Sequence, residues 1–384
     1  MNTFKFFVST NLRFGVGESE KLGEEILERG FNKVAVVIDR GVVNNSQILK
    51  AIASIEKAGI AVDVYKNEAV EPTYDYLGEF KKNFVGKDYQ CLVGIGGGSA
   101  MDLTKGIAVL LTNEGDALSF RGFPKLKNRP MPVIAIPTTA GTGSEVTYNA
   151  VFTNAQEKRK LGINSTLNFP VAAIIDPLIY LDCPLSVSVS AGSDALVHTM
   201  ESFVHRNHTP ISRMYSKEAF RLIFNNLGKI KDDPKNIEVR GALALGAYLA
   251  GTALFNAGSG PAGAFSYPLG AVYHVPHGYA GAIFLSSVTR INVEKGYQGY
   301  DELYDLIEGA DTKKSILEKN QQFAVEMQKL MDKIEIPRSL SHFGLGPKDI
   351  EFMVEQYDKL KAGIDQNPIS ITKEDAQKMI YALA

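Results

Sequence analysis

The sequence predicts an α/β domain built on a doubly wound parallel sheet, followed by an all-helical domain. Two observations predict this division. In the first half, short β-branched runs alternate with segments of helical spacing, a pattern typical of parallel strands joined by helices. After Pro184 the chain has long segments rich in Ala, Leu and Met, with few β-branched runs. We therefore expect one domain over residues 1–182 and a second over residues 183–384.

The first predicted strand is the apolar run of residues 33–39, which ends at the carboxylate of Asp39. A continuous apolar run of this length is typical of a parallel strand that is buried on both faces. Further strands are predicted at residues 61–65, 90–95, 132–136 and 172–175, with helices at residues 47–58, 78–85 and 99–111. In the second half, helices are predicted at residues 193–205, 212–226, 237–255, 300–306, 314–333 and 374–383.

The composition is that of a soluble globular protein. The 384 residues are 45% hydrophobic and 22% charged, and the formal net charge is −2, so no basic surface for nucleic acid is expected. No segment has the roughly 20 uninterrupted apolar residues of a membrane helix, and the N-terminus lacks the features of a signal peptide. Cys91 and Cys183 are too few for a disulfide framework. A cytoplasmic protein with no membrane partner is therefore expected.

A glycine-rich turn follows the predicted strand at residues 90–95 and opens the next helix. Residues 94–99 read GIGGGS. Glycines there let the backbone approach a ligand closely, and the helix N-terminus offers unpaired N–H groups to an anion. The alternative is a tight turn with no ligand, in which Ser99 is the N-cap of the helix.

A second segment, residues 137–145 (PTTAGTGSE), concentrates hydroxyl groups and glycines where another apolar strand ends. Open parallel sheets bind ligands at this end of their strands. Two such loops at one sheet edge are suited to surround a diphosphate. Asp39 closes the first strand, where a carboxylate accepts hydrogen bonds from ribose hydroxyls and repels a 2′-phosphate. The pattern thus favours a dinucleotide, NAD over NADP, although Asp39 is also suited to cap a helix or to end a strand in solvent.

The helical half contains candidate metal ligands. Asp194 and His198 are four residues apart and so share one face of a helix. The alternative is a helix-terminal aspartate beside an unrelated core histidine. Further along, His274 and His277 lie in a short segment with Pro276 and Gly278, a stiff backbone suited to holding a ligand.

Taken together, these motifs resemble the iron-dependent, or group III, alcohol dehydrogenase family over essentially the whole chain. The specific segments are residues 96–105 (GGGSAMDLTK), 137–147 (PTTAGTGSEVT), 194–198 (DALVH), 268–270 (PLG) and 276–278 (PHG). The resemblance implies a Rossmann-like N-terminal domain that binds NAD(P) and a helical C-terminal domain for metal and substrate. It also implies interconversion of an alcohol and an aldehyde or ketone by hydride transfer.

The resemblance also implies roles for particular residues. Asp194, His198 and His277 match metal ligands, for iron or zinc. Catalytic roles fall to Tyr267, His277 and His198. The cofactor-binding positions are Asp39, Gly97, Gly98, Ser99, Asp102, Thr138, Thr139, Thr142, Ser144, Thr147 and Lys160.

The fourth metal ligand of the family does not match. The family usually has a histidine where this chain has Gly263, and a second histidine where it has Tyr267. Three interpretations follow. The metal binds through the three remaining ligands with water, substrate or His274 in the fourth position; a protic group such as Tyr267 handles the alcohol proton without metal; or the chain binds nucleotide and has lost redox chemistry.

The missing side chain also bears on the substrate. Gly263 is expected to open space for a polar alcohol such as a hydroxy acid or a sugar primary alcohol, with a short 4-hydroxybutyrate-type substrate as the alternative. By analogy with relatives, a homodimer is expected, with residues 5–8 as an edge strand that pairs between subunits.

Overall fold

The computed structural model describes residues 3–124, 126–157 and 159–384, which form two compact units. The sheet unit comprises Val8–Pro184 and Lys235–Ala244. The helical unit comprises Leu185–Pro234 and Leu245–Ala384, together with the N-terminal residues up to Phe7. The two units therefore divide near residue 184, with two short exceptions. The N-terminal residues up to Phe7 group with the helical unit, and Lys235–Ala244 group with the sheet unit. The domain limits 1–182 and 183–384 stay a prediction.

The sheet unit contains one six-stranded sheet in the order β1-β8-β5-β4-β2-β3, in which every neighbouring pair is parallel. Strand β3 pairs on one side of β2 and strand β4 on the other, so the direction of winding reverses between β2 and β4. The predicted doubly wound fold is therefore confirmed. The strands of the sheet are β1 Asn11–Phe14, β2 Lys33–Asp39, β3 Ala61–Asn67, β4 Cys91–Gly96, β5 Val133–Pro137 and β8 Ala172–Ile175.

The central strands are continuous apolar runs because helices cover both faces of a parallel sheet. Every residue of β4 and β5 is buried. The helices of this unit are α1 Leu22–Glu28, α2 Ser46–Lys57, α3 Tyr74–Lys81 and α4 Gly98–Thr112. The helix predicted at residues 78–85 begins earlier, since the Thr73 hydroxyl accepts a hydrogen bond from the Tyr76 N–H and caps α3 there.

Helix α1, strand β1 and one hairpin of the sheet unit were not predicted. The edge strands are β1 and β3; residues 5–8 belong to neither of the sheets among the described residues, and their pairing with a second subunit stays a prediction. An antiparallel hairpin of β6 Asn149–Asn154 and β7 Arg159–Asn164 follows the second glycine-rich segment. The sequences of its strands, NAVFTN and RKLGIN, mix apolar and polar residues without the strict alternation that identifies a half-buried strand.

The helical unit is built on α5 and α10, which carry the candidate metal ligands. Its helices are α5 Leu185–Val204, α6 Pro210–Leu227, α7 Lys229–Asp232, α8 Ile237–Ala257, α9 Pro261–Tyr273, α10 His277–Glu294, α11 Asp301–Tyr304, α12 Ile316–Lys333, α13 Pro347–Glu355, α14 Tyr357–Ile364 and α15 Lys373–Ala382. The first residues of α8 group with the sheet unit. Helices α7, α9, α10, α13 and α14 were not predicted.

One helix among the described residues, α8, is long and apolar enough to cross a membrane by length and composition. Its most apolar window is 67% buried within the protein, and the helix carries Glu238 and Arg240. Burial of this kind is typical of the core helix of a globular protein.

Candidate active site

The carboxyl ends of β2 and β4 lie side by side where the winding of the sheet reverses. Ile38 pairs with Ile95, which brings Asp39 next to Gly96. A Cβ on Gly96, whose φ is +154°, would lie 2.8 Å from the Cβ of Asp39 and 2.6 Å from that of Ala100. Glycine is thus required for the two strand ends to meet. Open α/β sheets bind their ligands at this position.

The N-terminus of α4 follows directly, and no side chain caps it. Gly97 is the N-cap and makes no side-chain capping bond, so the alternative in which Ser99 caps the helix is wrong. Gly97, Gly98 and Ser99 are all partly exposed. Unpaired N–H groups of a first turn, together with the helix dipole, form a site for an anion.

The two glycine-rich segments lie against each other. A Cβ on Gly98 would lie 2.9 Å from the Cγ2 of Thr142, and one on Gly97 would lie 3.4 Å from the Oγ1 of Thr139. The Thr138 N–H donates to the Gly96 carbonyl over 2.9 Å. The glycines therefore leave a cradle, open to solvent, whose walls carry hydroxyl groups, and a diphosphate fits this donor set.

Asp102 ties the second segment to α4. Its Oδ1 accepts from the Ser144 hydroxyl over 2.5 Å, and its Oδ2 accepts from the Val151 N–H over 2.9 Å. The Ser144 N–H donates to the Thr142 hydroxyl over 3.2 Å. Both oxygens of Asp102 therefore have protein partners, and this carboxylate orders the loop that faces the cradle.

Lys105 is a functional candidate that the sequence analysis quoted in a motif without assigning it a role. Its ammonium group is fully buried, donates to the carbonyls of Ser144 (3.0 Å), Thr147 (3.3 Å) and Asn149, and lies 3.1 Å from Asp102 Oδ1. Burial lowers the pKa of Lys105, and the nearby carboxylate of Asp102 opposes that change. A lysine on the apolar face of a helix, three residues after an aspartate, was the available signal.

The remaining predicted cofactor residues, Asp39, Thr147 and Lys160, have protein contacts or burial that do not by themselves indicate a cofactor. Asp39 accepts from the Gly41 N–H over 2.8 Å and so caps a short 3-10 helix, which is the alternative the sequence left open. Thr147 is buried. Lys160 lies on β7, where its ammonium group pairs with Glu71 over 2.6 Å. Contact of these residues with a cofactor stays a prediction.

Asp194, His198 and His277 form a cluster in the helical unit. Asp194 Oδ1 lies 3.6 Å from His198 Nε2 and 3.7 Å from His277 Nε2, and one ligand atom of each residue lies within 4.8 Å of the others. Two ligands that each lie about 2.1 Å from one ion are about 3.4 Å apart at a tetrahedral angle. The three side chains therefore fit a divalent ion with little movement.

The packing of α10 on α5 brings the ligands together. Gly278 follows His277, and a Cβ there would lie 1.8 Å from the Ser190 carbonyl oxygen. Only glycine allows this approach of the two helices. His274, the alternative ligand, is exposed at the end of α9 with a φ of 55° and lies outside the cluster.

A carboxylate lies against Gly263, the position at which the family resemblance implies a different residue. Glu201 is buried, and its two oxygens accept from the N–H groups of Gly260 (2.7 Å) and Gly263 (2.9 Å). A Cβ on Gly263 would lie 2.8 Å from Glu201 Oε2. The Glu201 carboxylate therefore lies next to Gly263, and the expectation that Gly263 opens space for substrate stays a prediction. Glu201 was missed, although it lies three residues after His198 on the same helix face.

Tyr267 lies beside the cluster. Its ring centroid is 5.9 Å from that of His277, and the residue is 48% exposed. Desolvation of the hydroxyl, and the negative charges of Asp194 and Glu201, raise the pKa of Tyr267 above 10. Tyr267 is thus a neutral hydrogen-bond donor at pH 7 and a poor base.

Comparison with known proteins agrees with both halves of this arrangement. Residues 9–177 match the iron-containing alcohol dehydrogenase family, and residues 188–384 match the C-terminal part of the Fe-containing alcohol dehydrogenase family. The chain belongs to the iron-containing alcohol dehydrogenase family.

Individual members of the iron-containing alcohol dehydrogenase family resemble the chain along its whole length. It is 31% identical to 1,3-propanediol dehydrogenase of Klebsiella pneumoniae, over 99% of this chain and 97% of that protein. It is also 31% identical to lactaldehyde reductase of Escherichia coli, over 96% of each. Sulfoacetaldehyde reductase from Bifidobacterium kashiwanohense, solved in complex with NAD+, has a TM-score of 0.90 at 26% identity, over 100% of this chain and 99% of that chain.

The predicted activity is therefore confirmed. The chain is an oxidoreductase that interconverts an alcohol and an aldehyde or ketone with a nicotinamide cofactor.

Proposed function

We propose that this alcohol dehydrogenase acts on a small alcohol that carries a second polar group, with NAD as its cofactor and a divalent ion, iron or zinc, held by Asp194, His198 and His277. The observation that carries the proposal is the cluster itself, with its Nε2 atoms 3.6 and 3.7 Å from one carboxylate oxygen. Two histidines and a carboxylate suit both metals, and three protein ligands leave an open position for substrate.

Asp194, His198 and His277 would hold the ion, which would supply Lewis-acid chemistry for the substrate oxygen. The protein supplies the surroundings. Asp194 provides negative charge next to the two neutral imidazoles, and Tyr267 donates a hydrogen bond to a polar group of the substrate. The assignment of His198, His277 and Tyr267 as the residues that contact the reacting atoms is part of this proposal.

On the sheet unit, the proposed cofactor contacts lie around the cradle between the two glycine-rich segments. The first turn of α4 binds the diphosphate through backbone N–H groups, and the hydroxyl-rich loop closes the other side. The proposed contacts are Asp39, Gly97, Gly98, Ser99, Asp102, Thr138, Thr139, Thr142, Ser144, Thr147 and Lys160.

The proposed substrate class is supported by what the relatives act on by name. Propanediol, lactaldehyde and sulfoacetaldehyde each carry a polar group besides the reacting one. We propose a hydroxy acid or a sugar primary alcohol, with a 4-hydroxybutyrate-type substrate as the second candidate. A panel of diols, hydroxy acids and matched unsubstituted alcohols tests this, and turnover of the unsubstituted alcohols alone would reject it.

Removal of the metal is expected to abolish activity. Protein purified without chelator should hold about one divalent ion per chain, and prolonged chelation should lower kcat/KM by about 100-fold or more, because loss of a Lewis acid removes several kcal/mol of transition-state stabilisation. Return of Fe²⁺ or Zn²⁺ should restore the rate. Full activity in protein that contains well under one ion per chain would contradict the metal-dependent mechanism.

Replacement of Asp39 with asparagine is expected to shift the cofactor preference toward NADP. Asparagine keeps an oxygen for the Gly41 N–H, so the cap survives while the charge that repels a 2′-phosphate is lost. The ratio of kcat/KM for NADP to that for NAD should rise by about tenfold, which corresponds to roughly 1.4 kcal/mol. Steady-state kinetics with both cofactors measures it. An unchanged ratio would show that Asp39 acts only as a cap.

We further propose a cytoplasmic homodimer. The edge strand β1 exposes Leu12 and Phe14, at 36% and 40% of their surface, and apolar edge strands are sites of pairing with a second chain. Sedimentation equilibrium distinguishes a dimer from a monomer.

A further inference from the structure

Ser266 links the N-terminal part of α9 to one of the proposed metal ligands. The serine is fully buried, and its hydroxyl oxygen lies 2.6 Å from the Gly263 carbonyl oxygen and 3.3 Å from His277 Nδ1. On the other side of its ring, His277 presents Nε2 to Asp194 Oδ1 at 3.7 Å. One imidazole ring is thus held between a serine and the candidate metal position.

The Ser266 hydroxyl has a single proton, and the acceptor that takes it determines the tautomer of the His277 ring. A serine hydroxyl has one proton to donate, and a carbonyl oxygen has none. The short contact with Gly263 therefore uses the hydroxyl proton, so the Ser266 oxygen can only accept from His277. The Nδ1 atom must then carry the ring proton, which leaves the lone pair of neutral His277 on Nε2, the atom that faces Asp194.

We infer that Ser266 is a positioning residue that fixes His277 in the Nδ1–H tautomer and so presents Nε2 to the divalent ion. This inference rests on the proposed metal site. Metal-ligating histidines generally donate their second N–H to a fixed acceptor, which sets both the tautomer and the ring orientation. The two histidines differ here, because the buried Nδ1 of His198 has no hydrogen-bond partner in the described structure.

The restraint matters more for His277 than for His198. The side chain of His277 is 44% exposed at the start of α10, whereas that of His198 is 12% exposed within α5. Packing therefore holds His198 in place, while an exposed ring needs a hydrogen bond to stay in one orientation. With three protein ligands, a misplaced His277 leaves only two donors for the ion.

The test combines NMR spectroscopy of the metal-free protein with metal titration. In protein labelled with ¹⁵N-histidine, long-range ¹H–¹⁵N spectra at neutral pH should show His277 protonated at Nδ1. Ser266→Ala should increase the Nε2–H population of His277 and leave the His198 signals unchanged. The dissociation constant for Zn²⁺, measured by competition with a chelator, should rise by about tenfold, and Ser266→Thr, which keeps the hydroxyl, should restore both properties.

Thr252→Val is the matched control, because Thr252 is also buried in a helix, α8, and its hydroxyl donates to a backbone carbonyl (Tyr248, 3.0 Å) rather than to a group of the cluster. It should lower stability as Ser266→Ala does and leave zinc affinity unchanged. The inference is overturned if His277 is protonated at Nε2 in the unmodified protein, or if Ser266→Ala keeps its tautomer and zinc affinity. Absence of stoichiometric zinc binding by the unmodified protein, with His277 still protonated at Nδ1, would instead refute the proposed metal site.

Discussion

Replacement of Lys105 with methionine is expected to lower the free energy of unfolding by about 3 kcal/mol and to weaken NAD binding. Methionine has similar length and fills the buried space, so the loss comes from the ammonium group alone. Its removal leaves the carbonyls of Ser144, Thr147 and Asn149 without their buried donor and Asp102 without its cation. Breaking one side of a buried ionic contact in this way costs about 3–5 kcal/mol.

The lower end of that range applies to Lys105. Asp102 keeps its hydrogen bonds from Ser144 and Val151 and is 14% exposed, so its charge is not stranded in an apolar interior. A loss of about 3 kcal/mol should lower the melting temperature by roughly 6–12 °C in a domain of this size. NAD binding should weaken because the same three carbonyls anchor the loop that faces the cofactor cradle.

Denaturant unfolding and NAD titration measure the two effects. Lys82→Met is a suitable control, since Lys82 is 68% exposed and pairs only at the surface with Glu79, where ion pairs contribute about 0–1 kcal/mol. A double variant with Asp102→Asn should be less destabilised than the sum of the two single variants, because the two charges interact. Lys105→Met with the stability and NAD affinity of the parent protein would contradict the anchoring role.

The parts of the structure that the sequence predicted are those set by local pattern. The strand at Lys33–Asp39 was predicted at its observed limits, since a short unbroken apolar run is typical of a parallel strand that is covered on both faces. The close approach of the two glycine-rich segments was expected because both follow strands of one sheet, whose carboxyl ends share an edge.

The features that were missed depend on contacts distant in sequence. Helix α9 carries Gly263, Pro268 and Gly270, residues that weaken a helix prediction, and it forms because its first turn binds the Glu201 carboxylate through Gly260 and Gly263. The resemblance to the family implied an absent histidine at position 263. That Glu201 from another helix lies against Gly263 could not be predicted, because tertiary packing decides this contact.

Replacement of Asp194 with asparagine is expected to lower kcat/KM by about 1000-fold or more, equivalent to at least 4 kcal/mol of transition-state stabilisation. The amide has the same shape but no negative charge, and Asp194 Oδ1 is the atom that both Nε2 groups approach. Loss of a residue that only hydrogen-bonds a metal ligand weakens metal binding by about 10–100-fold. Loss of one of the three ligands themselves should therefore weaken metal binding further. Elemental analysis should find the variant nearly free of metal.

The same variant should keep its affinity for NAD, because the proposed cofactor contacts lie on the sheet unit and Asp194 lies on the helical unit. Asp358→Asn serves as the control, since Asp358 is 67% exposed and pairs with Lys373 at the surface. Retained NAD binding together with lost metal and lost turnover would assign Asp194 to the metal alone. Retained turnover in metal-free Asp194→Asn would instead favour the metal-independent interpretation. Because the raised pKa of Tyr267 makes it a poor base at neutral pH, that interpretation would require another group to take the alcohol proton.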